Sequence, residues 1–382
     1  MDIQKNDQRP IITFFSSVKG SDLVDSFLHE LARNYRVEFA HSIDLSLMKS
    51  SDLVTSHFKQ RWQMYGSFAL QSLLKARGKQ DISIVTTNPF FNPWLVSNCS
   101  LRKGVVINLL WDVYPDCLEI AGVLKHGSII SRLLEIQTRA SLRRCTATVF
   151  IGDQLKTYIE NRYGRAKQSV VIPVGADEKP FENSPPVPLA ENQVPRILYS
   201  GNMGHMHDIK TLSRALCAHF VGTKADTLEF YFQLRGANHK KFIESIPADK
   251  HIKCAPGRLF GAAWVDLMKS AHVGIVTMKP GSERVVMPSK VYSSMVAGQA
   301  ILAVCPEQSD LADLIRQHNC GWVVAPGDTD KLSCILKMIA TDPSELHIKR
   351  VNAYNAGHSK YSSREVARQW FALFDQIASP YK

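Results

Sequence analysis

Pro288-Ser289-Lys290 heads a small-residue helical pattern, "SKVYSSMVAG", that lies between two apolar runs. Pro288 suits the entry to a helix, and Ser289 is a candidate cap. Lys290 adds a full positive charge where the free N–H groups of a first turn already favour an anion. A basic residue there is unfavourable for a helix with no ligand, so the combination points to a site for a diphosphate. Two further loops fit that chemistry. Ser200-Gly201-Asn202-Met203-Gly204 follows the apolar run "RILY", and its glycines would let backbone N–H groups approach a phosphate. Arg235, followed by Gly236, ends the run "LEFYFQL", where a guanidinium could reach the same anion. Asp112 and Asp116 stand in "WDVYPD" after "VVINLL". Either could cap the helical pattern that begins at Leu118, and Asp116 is the more natural cap.

Every one of these residues sits in a loop after an apolar run, so the runs must be the elements that position them. "IITFFSS", "VEFAHS", "ISIVTTN", "VVINLLWDV", "ATVFIG" and "SVVIPVG" read as strands in the first half. Helical patterns such as "LVDSFLHELARNY" and "SIISRLLEIQTRASLRR" fall between them. The stretch 181–195 holds four prolines and little apolar content, the composition of a linker. The pattern then restarts with "RILYSG", "LEFYFQLRG", "VGIVTM", "QAILAVC" and "GWVVAP". Continuous apolar strands alternating with helices predict parallel sheets covered on both faces. The expected class is α/β, with two Rossmann-like parallel-sheet domains facing a central cleft. The domains are expected at 1–182 and 196–362, with a linker at 183–195. A last helical pattern fills 363–382, and a family resemblance in the motifs quoted below implies that it packs back toward the first domain.

Composition narrows the classes of function. The chain has 382 residues and a formal net charge of +11. Residues 1–185 carry 23 basic and 18 acidic side chains, a balance of +5, and the remainder carries +6. Basicity spread in this way does not mark a nucleic-acid module, and no nucleic-acid partner is expected. It suits anionic ligands or an anionic membrane surface. The eight cysteines form no CxxC pair and read as buried free thiols of a reducing compartment, not zinc ligands. "MDIQKNDQRP" has no signal-peptide core and no apolar run approaches a membrane span. The protein is expected to be cytoplasmic, or peripheral on the inner face of the membrane.

"YSGNMGHMHDIKTL", "LEFYFQLRGAN", "MKPGSERVVMPSKVYSSMVAGQAILAV" and "LIRQHNCGWVVAPGD" follow one another in an order and spacing that resembles family-4 glycosyltransferases of the GT-B fold. The likeness is to the branch acting in bacterial surface-polysaccharide synthesis. "LLWDVYPDCLEIAGVL" and "VVIPVGADEKPF" resemble that branch's acceptor-domain loop and domain-closing stretch. The resemblance implies retaining transfer of a sugar from a nucleoside-diphosphate sugar, most often a UDP-sugar, to a saccharide or lipid-linked saccharide. It implies no metal and no cofactor, because basic residues hold the diphosphate. Gly201, Asn202, Gly204, Arg235, Ser289 and Lys290 become the candidate diphosphate site. Asp112 and Glu283 become the catalytic candidates, and Ser17, Gly20, His205 and Tyr292 the remaining lining of the donor cleft.

The chain departs from the family at one point. Two glutamates separated by seven residues are frequent there, and the corresponding places hold Val285 and Ser293. Glu283 is the nearest carboxylate that could meet sugar hydroxyls. The loss keeps a rival open, a non-catalytic GT-B subunit that scaffolds or activates a partner transferase. A lysine or arginine frequent after the first glycine loop is also absent, and His205, His207 and Lys210 stand there instead. Basic clusters stand at Lys59-Arg61, Lys75-Arg77-Lys79 and Arg139-Arg143-Arg144, and Phe58, Trp62, Tyr65 and Phe68 are interleaved with the first. Phe58, Trp62 and Tyr65 share one helical face. That face reads either as an edge resting on anionic lipid or as an amphipathic helix packed on its own domain.

Overall fold

The computed structural model describes residues 9–16, 18–19, 22–41, 43–44, 58–78, 81–100, 104–222 and 228–378. The chain divides into two compact units. One comprises Met1–Val174 with Ser363–Lys382, the other Gly175–Ser362.

The first unit is built on a six-stranded sheet. Its strands run, in spatial order, Arg36–Ala40, Ile11–Phe15, Ile82–Thr86, Val105–Leu110, Ala147–Phe150 and Ser169–Val171. All pairings are parallel, with Phe14 opposite Ile84 and Leu109 opposite Val149. Phe14, Phe15, Ile84, Val85 and Val149 are fully buried, as expected of a sheet with helices on both faces. Burying each such side chain is worth about 1.5–3 kcal/mol. The last helix, Ser363–Ala378, belongs to this unit. Its Trp370 is buried and stacks on Phe27, with ring centroids 5.8 Å apart.

The second unit carries another six-stranded parallel sheet, in the order Ile252–Pro256, Glu229–Arg235, Arg196–Asn202, Val273–Thr277, Ala300–Val304 and Gly321–Val324. Its core includes Ile197, Phe230, Phe232, Ile275, Leu302 and Leu336. The break between units falls at Val174, before the proline-rich stretch, and the physical reason is visible there. Phe181 is buried with its ring 6.0 Å from Trp264, and Arg350 donates to the Val187 carbonyl at 2.8 Å. Much of the expected linker is therefore held down on the second unit.

The eight cysteines are free. Cys117, Cys145, Cys305 and Cys320 are buried, whereas Cys334 is exposed. Among the described residues no helix is long and apolar enough to cross a membrane.

Candidate functional site

In the second sheet the chain starts near the middle, with Arg196–Asn202, builds outward through Glu229–Arg235 and Ile252–Pro256, and then reverses to build Val273–Thr277 and the other half. Open parallel sheets bind ligands at the carboxyl ends flanking such a reversal. Asn202, Arg235 and the loop after Thr277 are brought together there by register, since Arg235 lies opposite Asn202 and the Arg235 carbonyl accepts from the Met203 amide at 2.7 Å.

Lys290 reaches into this place from the start of helix Lys290–Val296. Its ammonium donates to the Asn202 carbonyl at 2.7 Å and to the Tyr199 hydroxyl at 3.3 Å, and lies 3.4 Å from Nε2 of His207. It also sits 5.0 Å above the Tyr199 ring. Burial, and then the like charge of Arg235, push its pKa down to about 7. Among the described residues no carboxylate pairs with Lys290, whose ammonium lies in the field of Arg235. That is the electrostatics of an anion site.

The glycines make this approach feasible. Gly201 has φ +131°, and a Cβ there would lie 2.7 Å from Lys290 Cε. Gly236 has φ +100°, and a Cβ would lie 2.0 Å from Asn202 Oδ1. Gly204 is half-buried, and its carbonyl accepts from Asn238 Nδ2 at 2.9 Å.

His207 is the residue that sequence reasoning undervalued. Nδ1 lies 2.8 Å from the Thr277 carbonyl, which places the proton on Nδ1 and leaves Nε2 as an acceptor toward Lys290. Burial and then the charge of Lys290 push its pKa down to about 3, against the opposing effect of the Thr277 hydrogen bond. His205, two residues earlier, is exposed.

Two expectations need correction. Ser289 makes no capping hydrogen bond through its side chain, its backbone is already helical, and the helix that follows has only seven residues. The case for an anion therefore rests on the side-chain cations more than on the helix dipole. Tyr292 is buried and packs on Tyr361 with ring centroids 5.1 Å apart, so it lines no open surface. Ser17 and Gly20 lie outside the described residues.

Glu283 lies in a short 3-10 turn, Ser282–Arg284, after strand Val273–Thr277. Its Oε1 is 3.6 Å from Arg284 Nε. Its Oε2 is buried and has no hydrogen-bond partner among the described residues, an arrangement that calls for an explanation in a folded chain. Val285 is fully buried and Ser293 half-buried, so neither place supplies a carboxylate.

In the first unit the sheet reverses between Ile11–Phe15 and Ile82–Thr86. Asp112 lies in the loop after the neighbouring strand, Val105–Leu110, and its backbone N–H donates to Thr87 Oγ1 at 3.0 Å. Burial alone pushes its carboxyl up to about 6. Asp116 has a different role from the cap expected of it. Pro115 is the N-cap residue, and the buried Asp116 carboxylate accepts from the hydroxyls of Tyr158 and Tyr163 beside Arg162 Nε at 3.3 Å. On the aromatic–basic helix, Phe58–Ala76, Phe68 is fully buried and Tyr65 packs edge-on against Phe91. These two rings serve packing. The side chains of Phe58, Lys59, Arg61 and Trp62, and residue Lys79, lie outside the described residues.

No protein-family model matches the chain. It is 27% identical over 321 residues to the probable glycosyltransferase WbjE of Pseudomonas aeruginosa, a match covering 79% of this chain and 77% of that protein. Sucrose-phosphate synthase from Thermosynechococcus elongatus is similar in structure, with TM-score 0.72 and 12% identity, over 98% of this chain and 100% of that one. HepE from Anabaena, solved in complex with UDP-glucose, has TM-score 0.69 and 13% identity, over 96% of this chain and 99% of that one. With one parallel six-stranded sheet in each of its two units, the chain has the GT-B fold.

Proposed function

We propose that this chain is a glycosyltransferase that moves a sugar from a nucleoside-diphosphate sugar to a saccharide or lipid-linked saccharide acceptor. The observation that carries the reading is the buried Lys290 ammonium on the Asn202 carbonyl, in the field of Arg235 and with His207 neutral beside it. Arg235 disfavours the charged form of Lys290, a diphosphate relieves that repulsion, and each charge-assisted contact is worth about 1.5–3 kcal/mol. Their charge takes the part that a metal ion plays at other diphosphate sites, so the transfer is metal-independent in this reading. The likeness to WbjE supports sugar transfer, and the UDP-glucose held by HepE supports a UDP-sugar as donor.

Retention, membership of family 4 and a place in surface-polysaccharide synthesis are carried over from the motif resemblance. In this reading Glu283 meets sugar hydroxyls through its unpartnered oxygen. Asp112 serves the acceptor, and the protein works in the cytoplasm at the inner face of the membrane. One observation favours a second reading, a non-catalytic subunit: the places of the family's paired glutamates hold a buried valine and a serine.

Mass spectrometry of slow donor hydrolysis across a panel of nucleotide sugars separates the two, because hydrolysis needs no acceptor. Consumption of one donor class supports the transferase. Turnover of none, together with tight binding to another protein, supports the subunit.

A further inference from the structure

Helix Ile129–Arg144 buries Leu134 and Leu142, together with Ser131 and Ser141, against the first unit. Its outward side is also apolar. Ile129 is 80% exposed, Leu133 60% and Ile136 63%. At spacings of four and three residues these form one stripe. Ile130 lies beside the stripe, and Val123 precedes the helix; both are exposed. Leaving one such side chain in water forgoes about 1.5–3 kcal/mol of burial, and contiguous exposed apolar residues rimmed by polar ones mark interaction surfaces.

The charges around the stripe say what the partner is. A turn of 100° per residue places Arg132 and Arg143 on one flank and Arg144 on the other, and all three are exposed. Lys125, in the preceding loop, is exposed as well. The carboxylates of this region are engaged elsewhere. Glu119 accepts from Ser131 and His126, and Glu135 pairs with Arg162 at 3.0 Å. Among the described residues none of Arg132, Arg143, Arg144 or Lys125 has a carboxylate partner. The face is therefore apolar along its middle and cationic at its margins.

We infer that this face docks on an anionic lipid bilayer. The isoleucines and Leu133 enter the headgroup boundary, and the arginines meet lipid phosphates. A second copy of the chain fits less well, since a symmetric contact sets arginine against arginine. A nucleic acid would leave the isoleucines in water. On the same side of the sheet, helix Asn92–Cys99 packs against both this helix and Phe58–Ala76. There Leu70, Leu74 and Trp94 are exposed too. The inference gives the proposed membrane contact a surface, and it can be tested apart from catalysis.

The test is flotation of the full chain with vesicles of phosphatidylcholine alone, or of phosphatidylcholine and phosphatidylglycerol in equal parts. Binding is expected only to the anionic vesicles and should weaken with added salt. Arg132→Gln with Arg143→Gln should weaken it about 25-fold, roughly fivefold for each charge removed near the surface. Leu133→Ser with Ile136→Ser should weaken it by about tenfold or more. Both pairs should leave the melting temperature and UDP binding as they were, which separates this surface from the anion site. Failure of the native chain to bind anionic vesicles overturns the inference, as does binding that neither pair of substitutions disturbs. A native dimer that Ile136→Ser dissolves would mean that a second copy covers the face.

Discussion

The ammonium of Lys290 lies 3.4 Å from Nε2 of His207, whose Nδ1 is committed to the Thr277 carbonyl at 2.8 Å. The imidazole is neutral over the working pH range, and Lys290 is held down to about 7. A diphosphate favours the charged lysine, so binding should draw in a proton when the pH is above about 7. UDP affinity should then fall as pH rises through that value. Calorimetry in two buffers of different ionisation enthalpy measures the uptake, and none at pH about 8 would disconnect Lys290 from the phosphates. Without ligand the folded chain binds fewer protons than the unfolded chain between about 7 and 10.5. This group's contribution to stability therefore rises with pH across that window.

The two glycines facing Lys290 and Asn202 should differ in what their substitution does to binding. In Gly201→Ala the new Cβ meets Lys290 Cε at 2.7 Å. That atom belongs to a flexible side chain, so the lysine swings aside and UDP affinity should drop by about tenfold or more, while the φ of +131° adds a stability cost of about 1–3 kcal/mol. In Gly236→Ala the Cβ meets Asn202 Oδ1 at 2.0 Å and the Met203 backbone at 3.1 Å. There the positive φ and the backbone contact should cost about 1–3 kcal/mol of stability. Thermal melts beside UDP titrations check both outcomes. A Gly201→Ala variant with native affinity would show that Lys290 does not need its present place.

Glu283→Gln should lower turnover with the true donor and leave binding of UDP nearly unchanged, because the unpartnered oxygen is expected to face sugar and not phosphate. Stability should hold or rise, since the change removes a charge with a buried, unpartnered oxygen. An unaltered rate would reduce Glu283 to a loop residue.

Asp112→Asn should cut sugar transfer strongly and spare UDP binding. The folded protein holds this carboxyl's pKa at about 6, against 3.8 for the free group. Its contribution therefore makes the native chain lose stability as pH rises from about 4 to 6. The asparagine variant should lack that loss, and its melting temperature at neutral pH should match or exceed the native value. Lowered melting with transfer per folded molecule unchanged would take Asp112 out of the site.

The alternation of apolar runs with helical patterns made both sheets legible, because parallel strands buried on two faces show as unbroken hydrophobic runs. Strand Ile252–Pro256 escaped notice. It is an edge strand, half-buried in the pattern Ile-Lys-Cys-Ala-Pro, and carries no such run. Lys290 and Arg235 could be nominated because strand ends and charge are visible in sequence. That His207, and not His205, faces Lys290 depends on a loop path that spacing does not encode. Tyr292 was misplaced for a related reason, since periodicity shows that a helix has faces but not which one meets the core. The same ambiguity hid the outward stripe at Ile129, Leu133 and Ile136, where serines occupy part of the inner side.

Calorimetric titration of UDP against uridine, on the native chain and on Lys290→Ala, Arg235→Ala and the double variant, tests the central claim most directly. Each single change should weaken UDP about 10- to 150-fold and leave uridine nearly untouched. The double variant should lose less than the product of the two, because both cations grip one diphosphate. Equal losses for uridine and UDP, or a native chain that does not prefer UDP, would contradict a diphosphate site at Lys290 and Arg235.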